Sequence, residues 1–126
     1  MLKLVCLAVA GAIGTLARYW LTGLVQRSTG DAFPAGTMVV NVIGCFLVGV
    51  AMHFVRASPS LGPEARLVIV VGLLGGFTTF SAFGHETVQL IRDGNQVLAG
   101  LNVLGNVLTG LVAVWLGSTC GRFYTQ

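Results

Sequence analysis

Four long apolar runs constrain this chain more than any other feature. They cover residues 4–25, 36–55, 67–91 and 97–120. Each reaches the roughly 20 residues that carry an α-helix through the hydrocarbon of a bilayer. A soluble four-helix bundle would show a polar stripe along each helix, and these runs show none. Hydrophobic residues make up 55% of the chain and charged residues only 9%, against about 25% charged in a soluble domain. The sequence therefore predicts one all-α membrane domain, residues 1–126, with four transmembrane helices.

The connectors carry turn chemistry. Arg27 to Gly36 reads RSTGDAFPAG, Arg56 to Arg66 reads RASPSLGPEAR, and Arg92 to Asn95 reads RDGN. Pro63 and Glu64 suit the first turn of a new helix. The apolar run after Lys3 continues past signal-peptide length, so no cleavable leader is expected. With four spans, Lys3, Arg56, Arg66 and Arg122 fall on one side of the membrane. Arg27 and Arg92 fall on the other, with Arg18 near the same end of its helix. The positive-inside rule needs a clear excess to fix orientation. A bias this weak permits insertion both ways, hence an antiparallel homodimer, and equally permits one weakly preferred topology. Four short helices leave little room for an internal pore, so self-association is expected. Gly72 with Gly76, and Gly117 with Gly121, are spaced for close helix approach.

Polar residues inside spans are costly and face protein or water. Thr37 and Asn41 lie four apart on one face of the second run, which Gly44 and Cys45 continue. Asn102, Asn106 and Thr109 or Gly110 repeat that spacing in the fourth. Either set could bond neighbouring helices or line a wet path. The third run carries GGFTTFSAFGHE, Gly75 to Glu86. Gly75-Gly76 before Thr78 and Thr79 is poor helix sequence, and it predicts a break near the middle of the span. Irregular backbone at that depth survives only inside protein or beside a cavity, where its carbonyls can hold a small cation. Phe80 and Phe83 share a face beyond the break. Such pairs usually pack, but the positive edge of an aromatic ring can also meet an anion without trapping it, and Ser81 can donate to the same anion. Arg18, roughly 20 Å along the first helix, can snorkel to the interface or draw anions toward a vestibule. Glu86 can pair within the bundle or couple to protons. His53 fits an interfacial position.

Several classes find no support. Cys6, Cys45 and Cys120 stand far apart in apolar surroundings, without zinc-ligand spacing. The basic residues are scattered, with no patch for nucleic acid. The histidines sit in different spans and no nucleophile motif or phosphate loop is present, so no enzyme is expected. A small multidrug-type proton-coupled exporter, also a four-helix dimer, needs a carboxylate in the first span, where this chain has Arg18. A non-transporting subunit would leave the predicted break without a purpose.

The motifs GTLARY (Gly14 to Tyr19), GTMVVNVIG (Gly36 to Gly44) and GLLGGFTTFSAF (Gly72 to Phe83) together resemble the Fluc/CrcB fluoride channel family, in order and spacing. With the fourth span the resemblance covers nearly the whole chain. It implies a multi-pass protein of the bacterial inner membrane that assembles as an antiparallel, dual-topology homodimer in membrane lipid. Two pores would let fluoride leave the cytoplasm passively. By the same resemblance Phe80 and Phe83 offer ring edges to fluoride, Asn41, Ser81, Thr37 and Thr79 line the pore, and Arg18 marks its vestibule. Glu86 lies toward the end of the polar track. The backbone carbonyls of Gly75 and Thr78 hold a structural sodium ion at the dimer centre. Two departures stand out. Ala82 replaces the second threonine of the common TTFSTF pattern, and Asn102 and Asn106 stand where a tyrosine and a serine are common.

Overall fold

The computed structural model describes residues 1–57 and 63–123. Four helices in it are long and apolar enough to cross a membrane: Leu2–Thr29, Ala35–Ala57, Pro63–Arg92 and Gln96–Phe123. The chain is thus an all-helical multi-pass membrane protein. Each helix overruns the apolar run that announced it, because hydropathy falls at the interface while the backbone stays helical until a cap. At 28 residues, the first helix is about 42 Å long, against about 30 Å of hydrocarbon. Its ends therefore stand among lipid headgroups.

The caps follow from local chemistry. The first helix stops at Gly30, which has φ 79°. Gln26 then folds the connector back. Its Nε2 donates to the carbonyls of Gly30 and Phe33, and its Oε1 accepts from the Gly36 N–H at 3.2 Å. The RDGN turn closes the third span. Gly94, with φ 78°, donates to the Ile91 carbonyl at 3.1 Å, and Asn95 donates to that of Leu90 at 2.8 Å. This is the reciprocal closure of a Schellman motif. Pro63 and Glu64 do open a helical turn, Pro63–Arg66. The turn chemistry read in residues 58–62 lies outside the described residues.

Close approach of backbones holds the bundle, as expected where lipid removes the hydrophobic drive between helices. A Cβ on Gly117 would fall 2.1 Å from the Phe46 carbonyl oxygen, and one on Gly49 would fall 2.3 Å from that of Val114. The second and fourth helices therefore touch backbone to backbone. The first helix meets the third span the same way, through Gly14 against Leu73 and Gly76 against Gly11. Both small-residue pairs singled out in the sequence, Gly72/Gly76 and Gly117/Gly121, lie at these crossings.

The third span is not one helix. Pro63–Arg66 is α-helical, Leu67–Leu74 is wound as a π-helix, and Gly75–Phe77 returns to α. Thr78 (φ −83°, ψ 159°) and Thr79 (φ −150°, ψ 117°) are extended, and Phe80–Arg92 resumes the α-helix. The expected break is present, but it falls after the glycines rather than at them. Gly75 has φ −65° and ψ −35°, ordinary helical values. Threonine is β-branched and tolerates the extended region, and Thr78 Oγ1 donates to the Leu74 carbonyl at 3.1 Å, closing off the lower segment.

Candidate functional site

The interruption at Thr78–Thr79 exposes backbone that lipid cannot satisfy. The second helix supplies what is missing. Asn41 Oδ1 accepts from the Thr79 N–H at 2.9 Å, and Asn41 Nδ2 donates to the Thr79 carbonyl at 3.1 Å. One carboxamide thus pairs with both backbone groups of a single residue, as a neighbouring β-strand would. In a continuous α-helix that N–H would bond the Gly75 carbonyl. Gly44, one turn along the same face as Asn41, admits the break. A Cβ there would lie 2.2 Å from Thr78 Cγ2. The face predicted from Thr37, Asn41 and Gly44 therefore meets the third span, residue for residue.

Beyond the break the upper helix begins at Thr79, whose side chain caps it by accepting from the Ala82 N–H at 3.2 Å. The hydroxyls of Thr79 and Ser81 are 3.2 Å apart. Phe80 and Phe83 follow with ring centroids 5.4 Å apart and planes inclined by 57°. Their environments differ sharply: Phe83 is 9% exposed and Phe80 83%. Both line an open groove of about 300 Å³ with Asn41, Thr79 and Asn106. Cys45, Val48, Thr78, Val107 and Val114 complete its wall, so no formally charged side chain faces it.

Amides continue from the groove into the bundle. Asn41 Nδ2 also donates to Asn106 Oδ1 at 3.1 Å. Asn106 Nδ2 donates to Asn102 Oδ1 at 2.9 Å and to the Asn102 carbonyl at 3.0 Å. Asn102 Nδ2 donates to Thr87 Oγ1 at 2.9 Å, and Thr87 Oγ1 donates to the Phe83 carbonyl at 2.7 Å. Asn102 is wholly buried, so it supports the groove from behind while Asn106 lines it. Thr87 is the one member of this row that sequence reasoning missed. A hydroxyl four residues after Phe83, on the inner face of the same helix, was the available signal.

The remaining candidates lie apart from the groove. Thr37, 3% exposed, donates through Oγ1 to Glu86 Oε1 at 2.6 Å. Glu86 lines a second, more polar cavity of about 390 Å³ toward the connector ends, with Thr22, Gln26, Asp31, Gln89 and Asp93 among its walls. Arg18 is half-exposed on the first helix and does not line the groove. Gly75 is exposed on the face of the lower segment, and a Cβ there would meet only the Val70 carbonyl of its own helix, at 3.6 Å. Among the described residues no group of three or more His, Cys, Asp or Glu side chains is placed to hold a metal ion.

Comparison with known proteins sharpens this picture. Residues 5–118 match the family model described as CrcB-like protein, Camphor Resistance (CrcB). The chain is 44% identical over 123 residues to a protein of Geotalea daltonii named Fluoride-specific ion channel FluC, covering 98% of this chain and 99% of that one. Proteins of the same name resemble it in Geobacter sulfurreducens, at 46% identity over 97% of this chain and 98% of the relative, and in Geotalea uraniireducens, at 47% over 88% and 90%.

Proposed function

This chain belongs to the CrcB-like protein family, and on that premise we propose that it is a fluoride-specific ion channel of the bacterial inner membrane. It is a transporter rather than an enzyme. The observation that carries the reading is the groove after the broken helix. There Phe80 and Phe83 stand beside Asn41, Thr79 and Asn106 with no formal charge among them. Fluoride is small and strongly hydrated, so a path must replace its water. Amide and hydroxyl donors, and the positive edges of aromatic rings, do so without the fixed cation that would hold the ion too long.

In the single chain this groove is open. We infer that the working unit is an antiparallel homodimer with dual topology and two pores, each walled by both subunits. The exposure of Phe80, at 83%, supports this, because a partner surface would complete the site around it. Thr37 and Ser81 lie beyond the groove's own wall and would continue the polar track, with Glu86 toward its far end and Arg18 at the vestibule.

The break also suits a structural sodium ion at the dimer centre. The Thr79 N–H is committed to Asn41, so the Gly75 carbonyl lacks its usual helical donor. Thr78, being extended, turns its carbonyl out of the helix ladder. Those two carbonyls are hard oxygen ligands that would hold the ion, and sodium would supply the positive charge that settles them at membrane depth.

Fluoride efflux from proteoliposomes of the purified protein tests the function. Rapid passive efflux is expected with a potassium ionophore and no proton gradient, and chloride flux is expected to be small. Absence of fluoride efflux would sink the proposal.

A further inference from the structure

The direction of every amide in the groove's wall is dictated by backbone at its two ends. Asn41 cannot be turned over, because Thr79 presents an N–H to one of its atoms and a carbonyl to the other. Its second Nδ2 hydrogen must then face an acceptor, which sets Asn106 with Oδ1 toward Asn41. Asn106 Nδ2 is left facing the Asn102 carbonyl and Asn102 Oδ1, both acceptors. Asn102 Nδ2 finds Thr87 Oγ1, whose own hydrogen goes to the Phe83 carbonyl. The chain of donors runs one way, from the residue that opens the upper helix to the second groove phenylalanine.

This arrangement leaves Asn41 with no spare N–H. An anion in the groove between Phe80 and Asn106 meets an amide whose hydrogens are both engaged. The two engagements differ. The hydrogen on the Thr79 carbonyl is held together with the Thr79 N–H that Asn41 Oδ1 accepts, so giving it up would turn the amide away from the break. The hydrogen on Asn106 Oδ1 lies within the groove wall, and its acceptor is a neutral side-chain carbonyl.

We propose that Asn106 is a positioning residue for ion transfer: its Oδ1 is a resident acceptor that holds the second Asn41 Nδ2 hydrogen until an entering fluoride takes it over. The inference rests on the fluoride-channel reading. On entry the ion accepts the Asn41 N–H and Asn106 Oδ1 is released. On exit the original bond reforms. One hydrogen bond is exchanged for another at each step, so the donor is neither stranded in the empty groove nor a deep trap in the filled one. Asn106 holds its place during the exchange because its own hydrogens are fixed to the turn below.

The test is the concentration dependence of fluoride flux in liposomes for wild type, Asn106→Leu and Asn106→Ala. Neither variant offers an acceptor at this position. The half-saturating fluoride concentration is expected to fall at least threefold while the maximal rate falls, since the freed N–H binds the ion and releases it slowly. A residue that only packs would scale the rate at all concentrations and leave half-saturation unchanged. Half-saturation that rises, or falls by less than threefold in both variants, overturns the proposal. Should neither variant assemble, titration of the wild-type protein with sodium fluoride decides, read by NMR of the Asn41 side-chain amide. One Nδ2 proton is expected to shift as the site fills, and two unmoved protons in a conducting channel overturn the assignment. Failure of the wild type to conduct at all counts instead against the channel itself.

Discussion

Replacing Asn41 with leucine keeps the side chain's approximate size and removes all its hydrogen bonds. Three are lost: Thr79 N–H to Oδ1 at 2.9 Å, and Nδ2 to the Thr79 and Asn106 oxygens at 3.1 Å each. The losses are unequal. The Thr79 carbonyl, at an N-cap, also accepts the first bond of the upper helix, so it keeps a partner. The Thr79 N–H has none and becomes an orphan at membrane depth, which costs about 1–3 kcal/mol. The two donations from Nδ2 contribute about 0.6 kcal/mol each by the average for hydrogen bonds between membrane helices. The sum is about 2–4 kcal/mol. The upper part of that range requires that the N–H fail to recapture the Gly75 carbonyl. Recapture would need Thr78 and Thr79 to return to helical angles, which would swing Phe80 out of the groove. Stability and conduction must therefore fall together. Thermal unfolding in detergent by circular dichroism, with fluoride efflux from liposomes, reads both. An Asn41→Leu protein with the wild-type midpoint and wild-type flux would refute the argument that this amide braces the break.

Other perturbations separate the parts of the site. Phe80→Ile should cut fluoride flux at least tenfold, because it removes one of the two rings that line the groove; unchanged flux in liposomes would remove it from the pathway. Gly44→Val places a Cβ 2.2 Å from Thr78 Cγ2, so the second helix must move away from the break. Conduction should be lost, with overpacking worth about 1–3 kcal/mol in the melting curve. Gly94→Ala forces a side chain onto φ 78° and should cost about 1–2 kcal/mol by thermal unfolding, while leaving fluoride selectivity alone because the turn is remote from the groove. Glu86→Gln keeps an acceptor for Thr37 Oγ1 and removes the ionisable group; passive efflux should persist without a proton gradient, and abolition of transport together with its pH dependence would favour a proton-coupled mechanism.

The four helices were plain in the sequence because bilayer thickness imposes a length that composition reveals directly. The Thr37–Asn41–Gly44 face was legible for a similar reason: helical periodicity says which side chains share a side, and polar groups in lipid must turn inward. The exact place of the break was harder. Gly75 and Gly76 are poor helix formers, yet both are helical, since tertiary packing against Gly11 uses the missing side chain of Gly76. What breaks the helix is a partner 38 residues earlier in the chain, and no local propensity encodes that. The π-wound stretch Leu67–Leu74 was hidden too, because its apolar residues suit either winding. The direction of the Asn41–Asn106–Asn102–Thr87 chain could not be read from spacing at all. It depends on which backbone groups meet each end of the row.

In the proposed channel, that dependence would let the groove work without charge. An ammonium group about 4 Å from the ion would bind it by about 4 kcal/mol at an effective dielectric of 20. Each 1.4 kcal/mol is tenfold in an equilibrium, so the ion's residence would lengthen by roughly three orders of magnitude. A neutral N–H presented alone avoids that trap but meets the opposite problem, since an unpaired donor in lipid is itself costly. A donor already bonded to a neutral acceptor escapes both costs, because the ion's entry and exit exchange partners rather than create or abandon a bond. The break supplies the geometry for this. It puts the Thr79 N–H and carbonyl where Asn41 must face them, which leaves the second Nδ2 hydrogen at the edge of the groove beside Asn106 and the two phenylalanines. On this proposal, the irregular backbone is what would turn an ordinary interhelical asparagine toward an anion.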